Sequence, residues 1–359
     1  MNAPAINSPA KSRLTTWDED VFGRRMSSLV AFCVSPIIMW LLLSAITSLQ
    51  SVGATGLPLG SPGGQLSILL ATIGMLIISQ TARWSAMGLF ILTGWAAAFT
   101  VYVAASMGSA QLPQIFDDQA LLQWSYFPVL IFTICLAASL ATRRARLQRL
   151  RAARTCAAAP QNSQMDAENP AQADHADAAQ NYQADQTDTL QERDTAPDLA
   201  AQDTPPLTPN PRLAPPRWVW PTTLLASGLA LLAGALVFSL APRTSVPLIM
   251  QHPSWYLKLE AAPTIAVIVL IATLFALTWL AHLRPMPVQI AAWVLMLLPG
   301  LVVIPLFTTV IGWMPTPDDG FAISLAMSMP VTGILGATIA ATTQALFALS
   351  KPEDIAARL

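Results

Sequence analysis

The sequence predicts an all-α, polytopic membrane protein, a transmembrane helical bundle of about eight spans arranged as two four-helix halves. Hydrophobic residues make up 54% of the 359-residue chain and charged residues only 11%, which excludes an ordinary soluble domain. The apolar residues fall into runs that are long enough to cross a bilayer. A long polar segment, residues 143–217, separates these runs into two groups.

A helix crosses a hydrocarbon core about 30 Å thick with about 20 apolar residues, at a rise of about 1.5 Å per residue. Eight runs meet this criterion, and they lie near residues 26–49, 66–82, 85–107, 120–142, 219–241, 262–282, 287–311 and 321–349. The first run is longer than the apolar core of a cleaved signal peptide, and no clear cleavage site follows it. It is therefore predicted to be a retained span.

These runs divide the chain into five segments. A polar N-terminal tail, predicted to be loose, covers residues 1–25, and the first four-span half covers residues 26–142. The linker 143–217 leads to the second half, residues 218–349, and residues 350–359 form a C-terminal tail. Because basic residues accumulate beside the tails and the linker, the positive-inside rule predicts that all three lie on the cytoplasmic side of the cell membrane.

The linker is basic at its start and acidic afterwards. Six arginines follow the fourth span and are predicted to continue its helix beyond the bilayer: Arg143, Arg144, Arg146, Arg149, Arg151 and Arg154. This cluster either anchors the topology or also binds anionic lipid headgroups, and both interpretations stay open. Residues 157–216 are rich in Ala, Gln, Asp, Thr and Pro and poor in aliphatic side chains, which predicts a disordered tether.

An internal duplication is predicted from a comparison of residues 62–118 with residues 263–319. Each window contains three charged residues, and these coincide without a gap: Arg83 with Arg284, Asp117 with Asp318, and Asp118 with Asp319. Only nine of the 57 positions are identical, so the charges carry most of the prediction. Two halves with four spans each would share one orientation, as in parallel transporter repeats.

Prolines and glycines predict helix kinks and close helix packing. The predicted kinks lie at Pro128 and Pro330 in the last helix of each half, and at Pro299, Gly300 and Pro305 in the seventh span. Broken helices line binding sites in many transporters, but proline is also common in membrane helices generally. Small residues recur every fourth position and predict close packing within the bundle: Ala226, Ala230 and Gly234, Gly333 with Ala337, and Gly336 with Ala340.

The sequence contains no recognisable catalytic, cofactor-binding or metal-binding motif. None of the predicted spans carries Asp, Glu, Lys or Arg at bilayer depth, which argues against a proton pump whose relay lies in this chain. Basic residues lie at span ends and do not form a groove, so no nucleic-acid partner is expected. We expect no cofactor and no metal, and the partners expected are membrane lipids and other membrane-protein subunits.

Three classes of function remain open. A permease-like component of a transport process, without an intramembrane charge relay, is favoured by the predicted repeat and the broken seventh span. The alternative is a non-catalytic subunit or scaffold of a membrane complex, favoured by the small-residue faces and the tether. A lipid-acting enzyme is the weakest, because no acid/base pair or nucleophile is found. The excess of arginine over lysine, 16 to 3, is typical of a GC-rich bacterial genome.

A cavity lined by Ser79 and Gln80 would favour the transport interpretation. A closed, dry bundle with an apolar outer groove would favour the scaffold.

Overall fold

The computed structural model describes residues 10–54, 62–108, 124–167, 219–241, 261–303, 306, 310 and 319–350. Within these ranges 94% of the residues are helical and no strand occurs. Eight helices in the described ranges are long and apolar enough to cross a membrane, which confirms the predicted number of spans. The chain is therefore an all-α, multi-pass integral membrane protein.

Seven of the spans lie in regular helices: α1 Ala10–Ala54, α2 Pro62–Gln80, α3 Met87–Gly108, α4 Phe127–Ala167, α5 Val219–Leu240, α6 Ala261–Leu280 and α8 Gly320–Ser350. The seventh span, α7, begins as an α-helix over Pro285–Ala291. It continues as π-helical turns over Ala292–Leu297 and Pro299–Val303. A short 3₁₀ turn, Thr81–Arg83, follows α2.

Two helices extend beyond their spans. α1 begins at Ala10, so the prediction of a loose tail up to residue 25 is wrong from this residue on. Each residue added to an existing helix gains a hydrogen bond without a new nucleation cost. α4 continues through the arginine cluster to Ala167, which confirms the predicted extension of the fourth helix. The first part of the predicted tether is therefore helical, and its remainder, residues 168–216, lies outside the described residues.

α8 is the central helix of the bundle. It packs against α1, α2, α5 and α7, and 89% of its most apolar stretch is buried. The corresponding share is 22% in α5 and 33% in α3, α6 and α7. These four helices expose large apolar side chains such as Val101, Leu224 and Ile268, as expected for surfaces in contact with lipid. α8 is thus the most enclosed of the described spans, while α3, α5, α6 and α7 carry lipid-facing surfaces.

The apolar helices pack as one compact unit, Met1–Arg146 together with Val219–Leu359, and Leu147–Trp218 forms a second unit. Two separate four-helix halves are not shown, because α8 packs directly on α1 and α2. Under the predicted alignment of the two windows, the regular helix α3 corresponds to the π-helical α7. The tandem repeat therefore stays a prediction.

Candidate functional site

The polar side chains that are fully buried on α8 are all hydroxyls. α8 itself buries six of them: Ser324, Ser328, Thr332, Thr338, Thr342 and Thr343. Thr338 donates to the carbonyl of Ile334 at 2.9 Å, and Thr343 donates to the carbonyl of Ile339 at 2.7 Å. A hydroxyl bonded to its own helix in this way is satisfied without help from a neighbouring helix. Most of the polar groups on α8 are therefore consumed locally.

Four other buried hydroxyls have no hydrogen-bond partner in the described part of the chain, namely those of Ser27, Ser35, Ser79 and Thr278. Ser35 on α1 and Ser79 on α2 are fully buried, and both helices pack against α8. A buried polar group without a partner costs about 1–3 kcal/mol. These hydroxyls therefore mark positions where a water molecule or a polar solute would gain a hydrogen bond.

α7 and α8 approach each other closely, and this contact depends on three glycines. A Cβ atom on Gly300 would lie 2.7 Å from the backbone nitrogen of Gly333. On Gly336 a Cβ atom would lie 2.8 Å from the carbonyl oxygen of Ala292 and 2.8 Å from the backbone nitrogen of Leu297. Glycine is the only residue that permits this approach of two backbones. The small-residue face predicted at Gly333 and Gly336 is thus confirmed as packing within the bundle.

An amide joins the same two helices nearer their other ends. The Gln289 side-chain nitrogen on α7 donates to the Ala340 carbonyl oxygen at 2.9 Å and to the Gln344 side-chain oxygen at 3.0 Å, and it lies 3.3 Å from the Thr343 hydroxyl. Both of its N–H groups are therefore used on α8. This cross-link and the glycine contact hold α7 on α8 at two levels of the bundle.

Arginine and tryptophan side chains meet at one face of the bundle. The Arg146 guanidinium on α4 donates to the Trp84 carbonyl oxygen at 2.8 Å. A Cβ atom on Gly23 of α1 would lie 3.5 Å from the ring of Trp84. The Arg144 guanidinium carbon lies 5.7 Å from the centre of the Trp279 ring on α6. We call this the arginine-bearing face.

His282 follows α6 at the same face. Its Nδ1 lies 2.6 Å from the carbonyl oxygen of Trp279, and the two rings are 4.9 Å apart. Because a carbonyl oxygen can only accept, Nδ1 carries the proton of this hydrogen bond. Trp279 has a second aromatic neighbour, since Phe275 stacks on it with the ring centres 6.0 Å apart. The ring under Arg144 is therefore fixed from within its own helix.

The opposite end of the bundle carries two further unpaired polar groups. They are the indole N–H of Trp124 and the hydroxyl of Tyr126, which lie just before the span in α4. The two rings meet edge to face at 5.6 Å, and burial raises the pKa of Tyr126 well above its ordinary value. Asp319 begins α8 at this end, and its carboxylate accepts the N–H of Ala322 at 3.0 Å.

The predicted charged residues lie in different places. Arg143, Arg144 and Arg151 are exposed, while Arg146 and Arg284 are half-buried. The side chains of Arg83, Arg149 and Arg154 lie outside what the structure describes, as do Asp117, Asp118 and Asp318 entirely. The arginines at the ends of α4 and α6 are brought to one face.

The predicted kink positions also differ from one another. Pro330 lies inside α8, and Pro299 with Gly300 lies in the second π-helical stretch of α7. Pro128 is the second residue of α4, where a missing N–H leaves no helical hydrogen bond unmade, so it begins the helix without interrupting one. Pro305 lies outside the described residues.

Some of the polar interior carried a sequence signal and some did not. Ser79, named in the sequence analysis together with Gln80 as a possible lining residue of a cavity, is buried, whereas Gln80 is exposed. Gln289 was missed, although an amide within an apolar span is itself a signal. Ser35 had no signal, because serine is common in membrane helices.

The described residues contain no group of three or more His, Cys, Asp or Glu side chains that could hold a metal ion. Cys33 is exposed and Cys135 is buried, and both are free thiols. Comparison with protein-family models, with curated proteins and with solved structures finds no match to this chain.

Proposed function

We propose that this protein is a permease-like component of a transport process that uses no intramembrane charge relay. The observation that carries the proposal is the pair of fully buried, unpaired hydroxyls, Ser35 and Ser79, on the two helices beside α8. A polar group buried without a partner is unfavourable, and a passing solute that accepts or donates a hydrogen bond removes this cost. A polar path along α1, α2 and α8 would use both hydroxyls.

The charge distribution supports an uncharged solute. In the membrane-spanning stretches that the structure describes, charged residues occur only at the arginine-bearing ends of α1 and α4. A charged solute would lose its hydration on entering this interior and find no opposite charge there. The proposed substrate class is therefore a neutral molecule with a polar group that hydroxyls can bind and an apolar body.

The irregular geometry of α7 also supports transport. Its π-helical turns replace the regular hydrogen-bond ladder along most of the outer part of this span. π-helical turns occur frequently at functional sites, and interrupted helices line the substrate sites of many transporters. In this protein the interrupted helix packs directly on the central helix.

A non-catalytic subunit or scaffold is the second candidate function, and one observation favours it. The close contact of Gly300 with Gly333, together with the 89% burial of the apolar stretch of α8, describes a tightly closed centre. A bundle that stayed closed would serve as a rigid docking partner and would offer no path to a solute. Whether the centre opens therefore separates the two candidates.

Cysteine accessibility tests this opening without knowledge of the solute. In a chain with Cys33, Cys135 and Cys156 replaced by alanine, Ser35→Cys is exposed to a membrane-impermeant thiol reagent in membrane vesicles of both orientations. Transport requires an open state, and a minor state populated at about 0.1–10% would give slow but complete labelling. A scaffold would leave Ser35→Cys unlabelled for as long as the vesicles are intact.

Ser139→Cys in α4 is the matched control. Ser139 is also fully buried, but its hydroxyl donates to the Leu136 carbonyl oxygen at 2.8 Å. At about 1.5 Å per residue it lies about 6 Å from Arg143, whereas Ser35 lies about 15 Å from Arg25. Simple penetration from the arginine-bearing face would label Ser139→Cys first. Faster labelling of the deeper Ser35→Cys supports transport, and equal or reversed rates would rule out the proposed path.

The proposal also includes a membrane orientation and an internal duplication of the chain. Both termini and the linker would lie in the cytoplasm, with the protein in the cell membrane, because arginines of α1, α4 and the α6–α7 connection gather toward that side. A parallel tandem repeat would give the two groups of spans the same orientation. The coincidence of Arg83 with Arg284 supports this repeat.

A further inference from the structure

We propose that the arginine-bearing face holds the phosphate headgroup of an anionic phospholipid between α4 and α6. Arg143 and Arg144 would bind the phosphate, and Trp279 and His282 would form the wall of the site. The inference is independent of the proposed function, since a transporter and a scaffold could both use such a lipid.

The first support is the fixed position of one cation. Arg144 is exposed on α4, yet its guanidinium carbon lies 5.7 Å from the centre of the Trp279 ring. Phe275 and His282 hold this ring at 6.0 and 4.9 Å. A guanidinium over the face of an aromatic ring is attracted to that ring and still carries N–H donors that can bind an anion. The Arg144 guanidinium is therefore held beside Trp279 while the residue remains exposed to a ligand.

The second support is the charge of this face. Arg143 and Arg144 are adjacent in sequence and both exposed. Among all the side chains that the structure describes, the only carboxylate is that of Asp319, which begins α8 at the opposite end of the bundle. Both positive charges attract an anion at this end of α4. Guanidinium groups bind phosphate oxygens with paired hydrogen bonds, so a phosphate fits this pair.

The third support is the surface of α6 that continues from Trp279 into the membrane. The exposed residues of this stripe recur every three or four positions: Ile265, Ile268, Val269, Ala272 and Ala276. The two alanines come directly before the ring of Trp279 along the stripe. Small side chains there leave a shallow groove between Trp279 and Ile268, into which an acyl chain can pack. A headgroup at Arg144 and a chain on α6 belong to one molecule, which favours a phospholipid over free phosphate.

His282 completes the polar side of the site. Its Nδ1–H is used by the Trp279 carbonyl oxygen at 2.6 Å, so a phosphate oxygen can accept a hydrogen bond only from Nε2–H of the doubly protonated ring.

Native mass spectrometry of the full-length protein, titrated with phosphatidylglycerol in mild detergent, tests the site. The double variant R143Q/R144Q should bind phosphatidylglycerol about 30-fold more weakly. This corresponds to about 2 kcal/mol, or about 1 kcal/mol for each arginine near an anionic lipid. The matched control R149Q/R151Q removes the same charge from the same helix and should change the affinity less than about threefold. Equal losses in the two double variants would mean diffuse attraction only and would overturn the proposal.

Trp279→Leu separates a built site from a charge cluster, because it changes no charge. Loss of the cation–π contact should weaken binding about two- to fivefold, and Trp279→Phe should restore most of it. Unchanged binding by Trp279→Leu would contradict the proposed wall. Variants are compared only if they elute as the parent protein does, and Trp279→Phe keeps the test valid if Trp279→Leu misfolds.

Inorganic phosphate and phosphatidylcholine identify the ligand. Phosphatidylcholine should bind all variants weakly, and inorganic phosphate should not displace phosphatidylglycerol until general salt screening sets in. Displacement by inorganic phosphate at concentrations where chloride has no effect would assign the site to a free anion.

Discussion

Alanine in place of Gly300 should destabilise the protein, because the contact of α7 with α8 has no room for a methyl group. A Cβ atom there would lie 2.7 Å from the Gly333 backbone nitrogen and 2.8 Å from its Cα, and closer still to the Met329 carbonyl oxygen. All three are backbone atoms of α8, so none can rotate away. To restore a contact of 3.4 Å to the Gly333 nitrogen alone the two helices must separate by about 0.7 Å at this level, and the closer Met329 oxygen requires more.

The magnitude follows from two opposing effects. Overpacking costs about 1–3 kcal/mol, and a clash with three backbone atoms belongs at the upper end of this range. Alanine is favoured over glycine in a helix by about 1 kcal/mol. The net loss expected for Gly300→Ala is therefore about 2 kcal/mol in the free energy of unfolding. Separation of the helices also loosens the contacts that Gly336 makes with α7.

Gly94→Ala provides the control. Gly94 lies in α3 with no heavy atom within 4 Å of a built Cβ atom, so alanine should stabilise this position by up to about 1 kcal/mol. Unfolding free energies measured by steric trapping in bicelles should thus differ by about 3 kcal/mol between the two variants. If they agree to within about 0.5 kcal/mol, the close approach of α7 and α8 does not exist and the reasoning is wrong.

Two further predictions concern the α7–α8 cross-link and the orientation of the chain. Gln289→Leu should lower the free energy of unfolding by about 1 kcal/mol, because it removes the hydrogen bonds to Ala340 and Gln344. Interhelical hydrogen bonds in membranes average about 0.6 kcal/mol each. The same steric-trapping assay measures the change, and an unchanged free energy of unfolding would mean that water replaces the amide. With Cys33 and Cys135 replaced by alanine, the native Cys156 should be protected from an impermeant thiol reagent in intact cells and should react once the cells are opened. Labelling in intact cells would reverse the proposed orientation.

The number and the order of the spans follow from the sequence because the bilayer allows few alternatives. A chain segment in lipid must satisfy its backbone groups internally, so a long apolar run without charges becomes a helix. The continuation of α4 through its arginines follows equally from composition, since arginine and leucine are good helix formers. Helix ends were less predictable, as the start of α1 at Ala10 illustrates.

The geometry of α7 was not available from the sequence. Pro299 and Gly300 were identified as a break, but the π-helical turns begin at Ala292, and the stretch Ala292–Leu297 contains neither proline nor glycine. These turns coincide with the contact to Gly336 on α8, whose backbone approaches Ala292 and Leu297. Pro299 has no N–H to bond to the Leu295 carbonyl, so it accounts for part of this irregularity. The packing against Gly336, which involves another helix, carries no signal within α7.

The unpaired hydroxyls show a similar limit. Thr338 on α8 and Ser35 on α1 are both hydroxyl residues in apolar spans, yet the first bonds to its own helix and the second has no partner. The difference depends on the side-chain rotamer, which neighbouring helices select. A sequence can therefore predict that hydroxyls line the interior, and only the packing shows which of them remain available to a solute.

The kind of atom at each helix contact indicates where the bundle could open. On the α7 side of α8 the closest neighbours of the glycines include backbone atoms, such as the Gly333 nitrogen facing Gly300. Between α1 and α2 the closest neighbour of Gly74 is the side chain of Ile38, at 2.9 Å, which can change rotamer. A path that uses Ser35 therefore requires side-chain rearrangement at α1 and α2, while α7 and α8 move together. Gly300→Ala should accordingly lower stability and leave the labelling rate of Ser35→Cys unchanged, whereas faster labelling in this background would place the moving contact at α7.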